Sequence, residues 1–334
     1  MPPRTLQPVP SPPSSRWRRA PSMDPIEGTQ QKLGSFASSS RSGVLMRRLR
    51  AVGLPAFLSC LTLWAAFPPL GLSLLVWVAP LGLLGLIDRE ESPRKAGYLW
   101  IWIAGCMFWL AILQGIRLAF WPLTFGWLAL SLYLAVYMPL FVGIARIIRH
   151  RWGWSLAWAA PVAWTGLELC RSYLLTGYPA TTLAHTQYRH PLLIQAADQW
   201  GGYGISFVIV AVSVAIYRII QHMLEVYRRT DATARPSRGG QWDIVIPAGL
   251  LAALLAYGYW RLAEGDRQAS DAQPLLRVAL IQENTPSMFD ADPDRLQQAW
   301  TRYASTTSRA IREHGAVDLV VWPEATFTAM IPWM

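Results

Sequence analysis

Glu324 is the residue whose neighbours best suit it to act as a base. It follows Asp318-Leu319-Val320-Val321-Trp322-Pro323, a short apolar run that reads as a strand buried on both faces, as in parallel sheets packed between helices. Pro323 has no N–H to give a ladder, so the strand should end there. Glu324 then stands just past a strand's carboxyl end, where open α/β sheets place their ligand crevices, and a carboxylate there suits general-base work. A second polar group, Trp164, Glu168 and Arg171, falls at i, i+4, i+7 on one helix face. Ionisable groups in an apolar helix are costly unless paired, and the i,i+3 spacing lets Glu168 pair with Arg171. Two readings stay open for them, an ion pair that fixes the helix end or a polar pair that holds a head group or substrate. Gln114 and Arg117 repeat the spacing.

Other chemistry-bearing residues carry less. Cys60, Cys106 and Cys170 lie in or at the end of apolar segments without paired spacing, so each reads as a buried small hydrophobe. His185 and His190 have no Cys or carboxylate at ligand spacing, and neither a metal nor a cofactor is expected. Gly201-Gly202-Tyr203-Gly204 follows no strand and precedes an apolar span, so it reads as helix-start flexibility rather than a phosphate cradle.

The elements that must position these residues are mostly membrane helices. Of 334 residues, 53% are hydrophobic and 15% charged, against roughly 25% charged in soluble domains. The 18 tryptophans fit a bilayer protein as well, since indole rings favour the membrane–water interface. Residues 1–46, rich in Pro, Ser and Arg, read as a disordered cytoplasmic tail. Residues 47–264 read as a transmembrane domain with seven spans, at 51–67, 70–87, 98–117, 123–148, 154–174, 203–221 and 244–260. The net charge of +10 gathers in the tail and in alternate loops, for example Arg89, Arg94 and Lys95, then Arg149 and Arg151. Charge so placed sets orientation and does not point to nucleic acid. It puts the N-terminus inside and the segment beyond about Gly265 outside.

Residues 265–274 read as a polar linker. Leu275 to Gln282 reads as a strand, and Asp292 with Pro293 opens a helix that Gly315 closes. Leu296, Trp300, Tyr303, Thr307, Ala310 and Ile311 give that helix one apolar stripe. The Asp318 strand completes a strand–helix–strand unit with a connection long enough for a parallel crossover. Two strands and one helix cannot close a core, so 275–334 reads as an incomplete domain.

Two sets of residues together resemble a known family. Val278-Ala279-Leu280-Ile281-Gln282 with Asn284 and Pro286, followed by Asp318 to Ala325, looks like the start of a nitrilase-type (carbon–nitrogen hydrolase) domain. Trp164-x-x-x-Glu168-x-x-Arg171, Gly177-Tyr178-Pro179, Gln187, Gln195 and Gly202 to Phe207 match the membrane half of the apolipoprotein N-acyltransferases. The resemblance implies a helical membrane bundle carrying an α-β-β-α sandwich on the periplasmic side of the bacterial inner membrane. It further implies a Glu-Lys-Cys triad without metal or cofactor, with Glu324 as the base that activates the cysteine. A phospholipid would donate the acyl chain through a thioester, and the diacylglyceryl cysteine of an apolipoprotein would accept it. Phe289, in the loop after the first strand, and Glu168 and Arg171 would contact substrate, and the protein is expected to be a monomer. No Lys or Cys follows Glu324, and the family's last span is missing, so the sequence reads as an inactive, truncated form. The runners-up are a nitrilase-type enzyme acting on a small amide or nitrile, and a non-enzymatic membrane scaffold or transporter with a degenerate domain.

Overall fold

A computed structural model describes residues 49–175, 177–228, 240–271, 276–284 and 293–323. Every element below lies between residues 49 and 321. A π-helical turn, Leu49–Gly53, leads into α1 (Leu54–Ala66), and a 3₁₀ turn, Ser73–Trp77, precedes α2 (Leu81–Asp88). Then come α3 (Lys95–Ile112), α4 (Gln114–Ala119), α5 (Leu123–Ala135) and α6 (Tyr137–Arg146), the last running into a π-helical turn, Ile147–Arg151. After α7 (Leu156–Arg171), a 3₁₀ turn (Leu183–Gln187) and the single-turn α8 (Pro191–Ile194) occupy the long loop before α9 (Ala197–Arg228) and α10 (Trp242–Asp271).

Among the described residues, five stretches are long and apolar enough to cross a bilayer: Leu49–Ala66, Lys95–Ile112, Leu123–Arg151, Ala197–Tyr227 and Trp242–Arg267. The other two of the seven expected spans are shorter. Residues 70–87 split into the Ser73–Trp77 turn and the eight-residue α2. α7 has 16 residues, about 24 Å of rise at 1.5 Å per residue, short of the ~30 Å hydrocarbon thickness. Its length is set at one end by Ser155 in extended conformation and at the other by the turn after Arg171. The polar segment expected to begin a linker at 265 instead continues as helix through Asp271, because nothing between Gly265 and Asp271 breaks a helix.

Inside the bundle, α9 packs between α7 and α10, and α3 packs against α1 and α5. The shared core includes Leu83, Ile101, Trp109, Phe141, Leu156 and Ile209, each 2% exposed or less. The outside is apolar as well, with Leu61, Leu74 and Phe125 well exposed. An apolar exterior of that extent suits lipid rather than water. α9 carries Gly201 at φ +60° and ψ −173° near its start. This left-handed φ, readily adopted only by glycine, bends the helix where the sequence suggested flexibility.

One end of the bundle is closed by charge. Arg218 of α9 donates through Nη1 and Nη2 to the two carboxylate oxygens of Asp88 at 2.7 and 3.0 Å, and through Nε to Asp243 Oδ2 at 2.9 Å. The other Asp243 oxygen accepts from Ala157 N–H at 3.1 Å, one of the donors that the first turn of α7 leaves without an intrahelical partner. Nearby, the buried Arg146 donates to the carbonyls of Leu86, Ile87, Arg89 and Glu90, closing the carboxyl end of α2. Trp152, Trp154 and Trp242 are exposed near this end, and Trp121, Trp200 and Trp260 near the other, which gives two aromatic rings of the kind that mark membrane interfaces.

Past α10 lie β1 (Val278–Leu280), α11 (Pro293–His314) and β2 (Leu319–Val321). The strands pair in parallel, Val278 with Leu319 and Leu280 with Val321. Asp318 clips the entry, accepting from Arg277 N–H at 2.7 Å. Gly315, at φ +85°, follows α11 and donates to Ile311 O at 3.0 Å, as a helix-closing glycine should. The strands are not buried on both faces as their apolar runs suggest: Leu280 is 76% exposed and Leu319 49%. A buried parallel sheet needs helices on both faces, and the described residues supply one helix.

Candidate functional site

At the end of the bundle opposite the Arg218 network, the last two turns of α7 bring Trp164, Glu168 and Arg171 to one face, as their spacing required. Glu168 and Arg171 are 5% and 6% exposed. They do not satisfy one another, and among the described residues no ion pair joins them. Glu168 Oε1 accepts from Trp164 Nε1 at 2.9 Å and from Leu183 N–H at 3.0 Å. Arg171 Nη2 donates to the carbonyls of Ala180 and Thr181 at 2.9 and 3.2 Å. Its guanidinium lies over the rings of Trp109 and Tyr178, 5.1 and 5.6 Å from their centroids. The expected pairing gave way because the loop after α7 offers backbone partners that satisfy each charge separately.

The two side chains thereby organise that loop. Glu168 holds the first residue of the Leu183–Gln187 turn, and Arg171 holds the two carbonyls just before it. The remaining loop polar groups complete the fastening: Ser73 Oγ and His190 Nε2 lie 2.8 Å apart, Gln187 Nε2 donates to Ser73 O at 3.1 Å, and Ser172 Oγ meets Tyr203 Oη at 2.7 Å. Thr182 N–H donates to His185 Nδ1 at 3.0 Å, which needs a neutral ring. Partial burial and then the charge on Arg171 hold the His185 pKa below the usual imidazole value. Sequence spacing pointed to Glu168 and Arg171 but not to Ser73 and His190, 117 residues apart.

Beneath the loop is a cavity of about 40 Å³. Leu63, Phe67, Phe108, Met138 and Phe141 form its apolar wall, and Tyr137, Glu168, Arg171 and Thr181 contribute polar side chains. A largely apolar pocket with a few convergent polar groups is a common form of ligand site. Replacing Glu168 with Leu should destabilise the folded chain by about 2–4 kcal/mol, because Trp164 Nε1 and Leu183 N–H lose their acceptor. Glu168→Gln keeps an acceptor oxygen and should lose less than half as much. Denaturant unfolding in detergent micelles checks the contrast; equal losses would show that the acceptor is unimportant.

The cysteines divide differently from expectation. Cys60 and Cys106 are buried, whereas Cys170 is exposed, because α7 turns residues 168 and 171 inward and so turns 170 outward. Gln114 and Arg117 meet only loosely, at 3.5 Å.

In the α/β segment, β2 stops at Val321, two residues before Pro323. Trp322 then turns onto α11, with its ring 5.2 Å from Trp300 and 5.3 Å from Tyr303 and its Nε1 donating to Thr307 Oγ1 at 3.1 Å. Three positions of the predicted apolar stripe thus meet the strand's end. Glu283 Oε1 accepts from Thr306 Oγ1 on the same helix. Glu324 and Phe289, the expected base and the expected substrate contact, lie outside the described residues.

A helical bundle with membrane-length helices, joined to a parallel strand–helix–strand unit, defines the class: a membrane protein with an appended α/β segment. Residues 59–215 match the apolipoprotein N-acyltransferase N-terminal domain. The chain is also 33% identical over 285 residues to an apolipoprotein N-acyltransferase of Rhodopirellula baltica, covering 81% of this chain and 48% of that protein. It is 34% identical over 280 residues to the enzyme of the same name from Geobacter metallireducens, covering 81% and 50%. The match to the Pasteurella multocida protein of that name is 27% over 271 residues, 75% of this chain and 46% of that one. The chain spans about half the length of the curated relatives it matches.

Proposed function

We propose that this chain serves phospholipid:apolipoprotein N-acyl transfer in a bacterial inner membrane. The observation that carries the reading is the parallel pairing of β1 with β2, since Glu324 comes third in sequence after β2's last residue, Val321, in a chain whose residues 59–215 match the acyltransferase N-terminal domain. In this reading Glu324 takes the proton from a cysteine thiol, and the thiolate attacks the acyl ester of a phospholipid. A lysine stabilises the oxyanion, the lysophospholipid leaves, and the acyl group stays on sulfur as a thioester. The α-amine of a diacylglyceryl cysteine then displaces the thiolate and becomes an amide. Residues 325–334 contain neither lysine nor cysteine, so both would come from outside the segment after Glu324. Phe289, Glu168 and Arg171 are assigned to substrate, the last two through the loop they hold.

Deleting the gene should leave the organism's lipoproteins in the diacyl form, lighter by one acyl chain in mass spectra of their N-terminal peptides. Unchanged masses in the deletion strain would exclude the reading. The orientation read from loop charge adds a second expectation. A cysteine introduced by Ala325→Cys should react with a membrane-impermeant maleimide added from the periplasmic side, and labelling only after the cytoplasmic face is opened would reverse the topology.

A further inference from the structure

The cavity under the loop after α7 has polar chemistry that its walls do not complete. Trp109 Nε1, Glu168 Oε2 and Arg171 Nε are buried without a hydrogen-bond partner, and all three residues line it. They are 2%, 5% and 6% exposed, so bulk solvent does not satisfy them. Buried polar groups in stable folds find partners in protein or in ordered water, and three unmet atoms on one cavity form a single site. Together they specify the guest. It must accept from an indole N–H and a guanidinium N–H and must donate to a carboxylate oxygen.

Size narrows the choice further. A cavity of about 40 Å³ has room for about two or three waters, at about 10–15 Å³ for each. Water donates and accepts at once, and a buried water typically makes about three hydrogen bonds. We propose that the cavity is a hydrated site in which two or three ordered waters bridge Glu168 Oε2 to Trp109 Nε1 and Arg171 Nε. The cluster provides what the missing direct ion pair does not: the opposite charges one turn apart on α7 meet through water rather than through contact. The inference is independent of the acyl-transfer reading and stands on the cavity alone.

X-ray radiolysis of the chain in lipid nanodiscs tests it, because hydroxyl radicals formed from a bound water oxidise the side chains touching that water even where bulk solvent cannot reach. Met138 and Trp109, both lining the cavity, should be oxidised several-fold faster than Cys106. That cysteine is buried and lies off the cavity, and its thiol is intrinsically the more reactive group. Rates at Met138 and Trp109 equal to or below that of Cys106 would mean a dry cavity and would overturn the proposal. The comparison also guards against unfolded protein, in which Cys106 would lead.

Discussion

Replacing Glu324 with Gln should lower thioester formation by about 10²–10⁴-fold, the usual contribution of a positioned general base, while the bundle inserts normally. A free thiol with a pKa near 8.5 is only a few per cent thiolate at neutral pH, and an amide cannot take its proton. Glutamine keeps the length and shape of the side chain, so loss of rate without loss of folding isolates the proton transfer. Glu324→Asp retains the carboxylate but withdraws it by one methylene, and should fall between the two. Single-turnover transfer from a labelled phospholipid, in a protein that also carries the thiol, reads the thioester directly. A thioester formed at the unsubstituted rate would remove Glu324 from the mechanism.

The largest structural effect is expected at Arg218. Its side chain is 15% exposed, and it holds Asp88, also 15% exposed, and Asp243, 2% exposed. Arg218→Leu leaves Asp243, 2% exposed, without its cation and Asp88 with only Arg149 at 3.6 Å, and breaking a buried network by removing one partner costs about 3–5 kcal/mol. The loss should appear as a lower denaturant midpoint in micelles. Adding Asp88→Asn and Asp243→Asn should recover much of it, since removing both carboxylates also removes the desolvation they carry, while Arg149, the other cation on Asp88, is 30% exposed and can turn to water. A midpoint unchanged in Arg218→Leu, or a triple variant no better than the single, would show that the network does not hold this end together.

Much of this architecture is legible in the sequence because it depends on short-range pattern. Apolar runs of bilayer length can be read without a structure, since hydrocarbon admits backbone only when its hydrogen bonds are made within the segment. Pro293 and Gly315 bracket α11 because a helix's ends are set by groups within a turn of them. The match between Trp164-x-x-x-Glu168-x-x-Arg171 and the acyltransferases survives for the same reason, as spacing on one helix is local. The partner of a charged side chain is not local. Sequence spacing joined Glu168 to Arg171, but both found backbone groups of the loop after α7, because a backbone N–H or carbonyl at hydrogen-bond distance satisfies a charge without the strain of drawing two side chains together.

From sequence alone, then, came a membrane bundle, its relation to the acyltransferases and the strand–helix–strand order that leads to Glu324. Tertiary structure decided which helices reach bilayer length, which residue closes the Asp88 and Asp243 end, and how the loop after α7 is fastened over its cavity. Arg218 lies 130 residues from one of its carboxylates and 25 from the other. Ser73 and His190 are 117 apart. Local pattern encodes which face of a helix is buried, whereas the packing of one helix on another brings residues so distant in the chain within reach of a hydrogen bond.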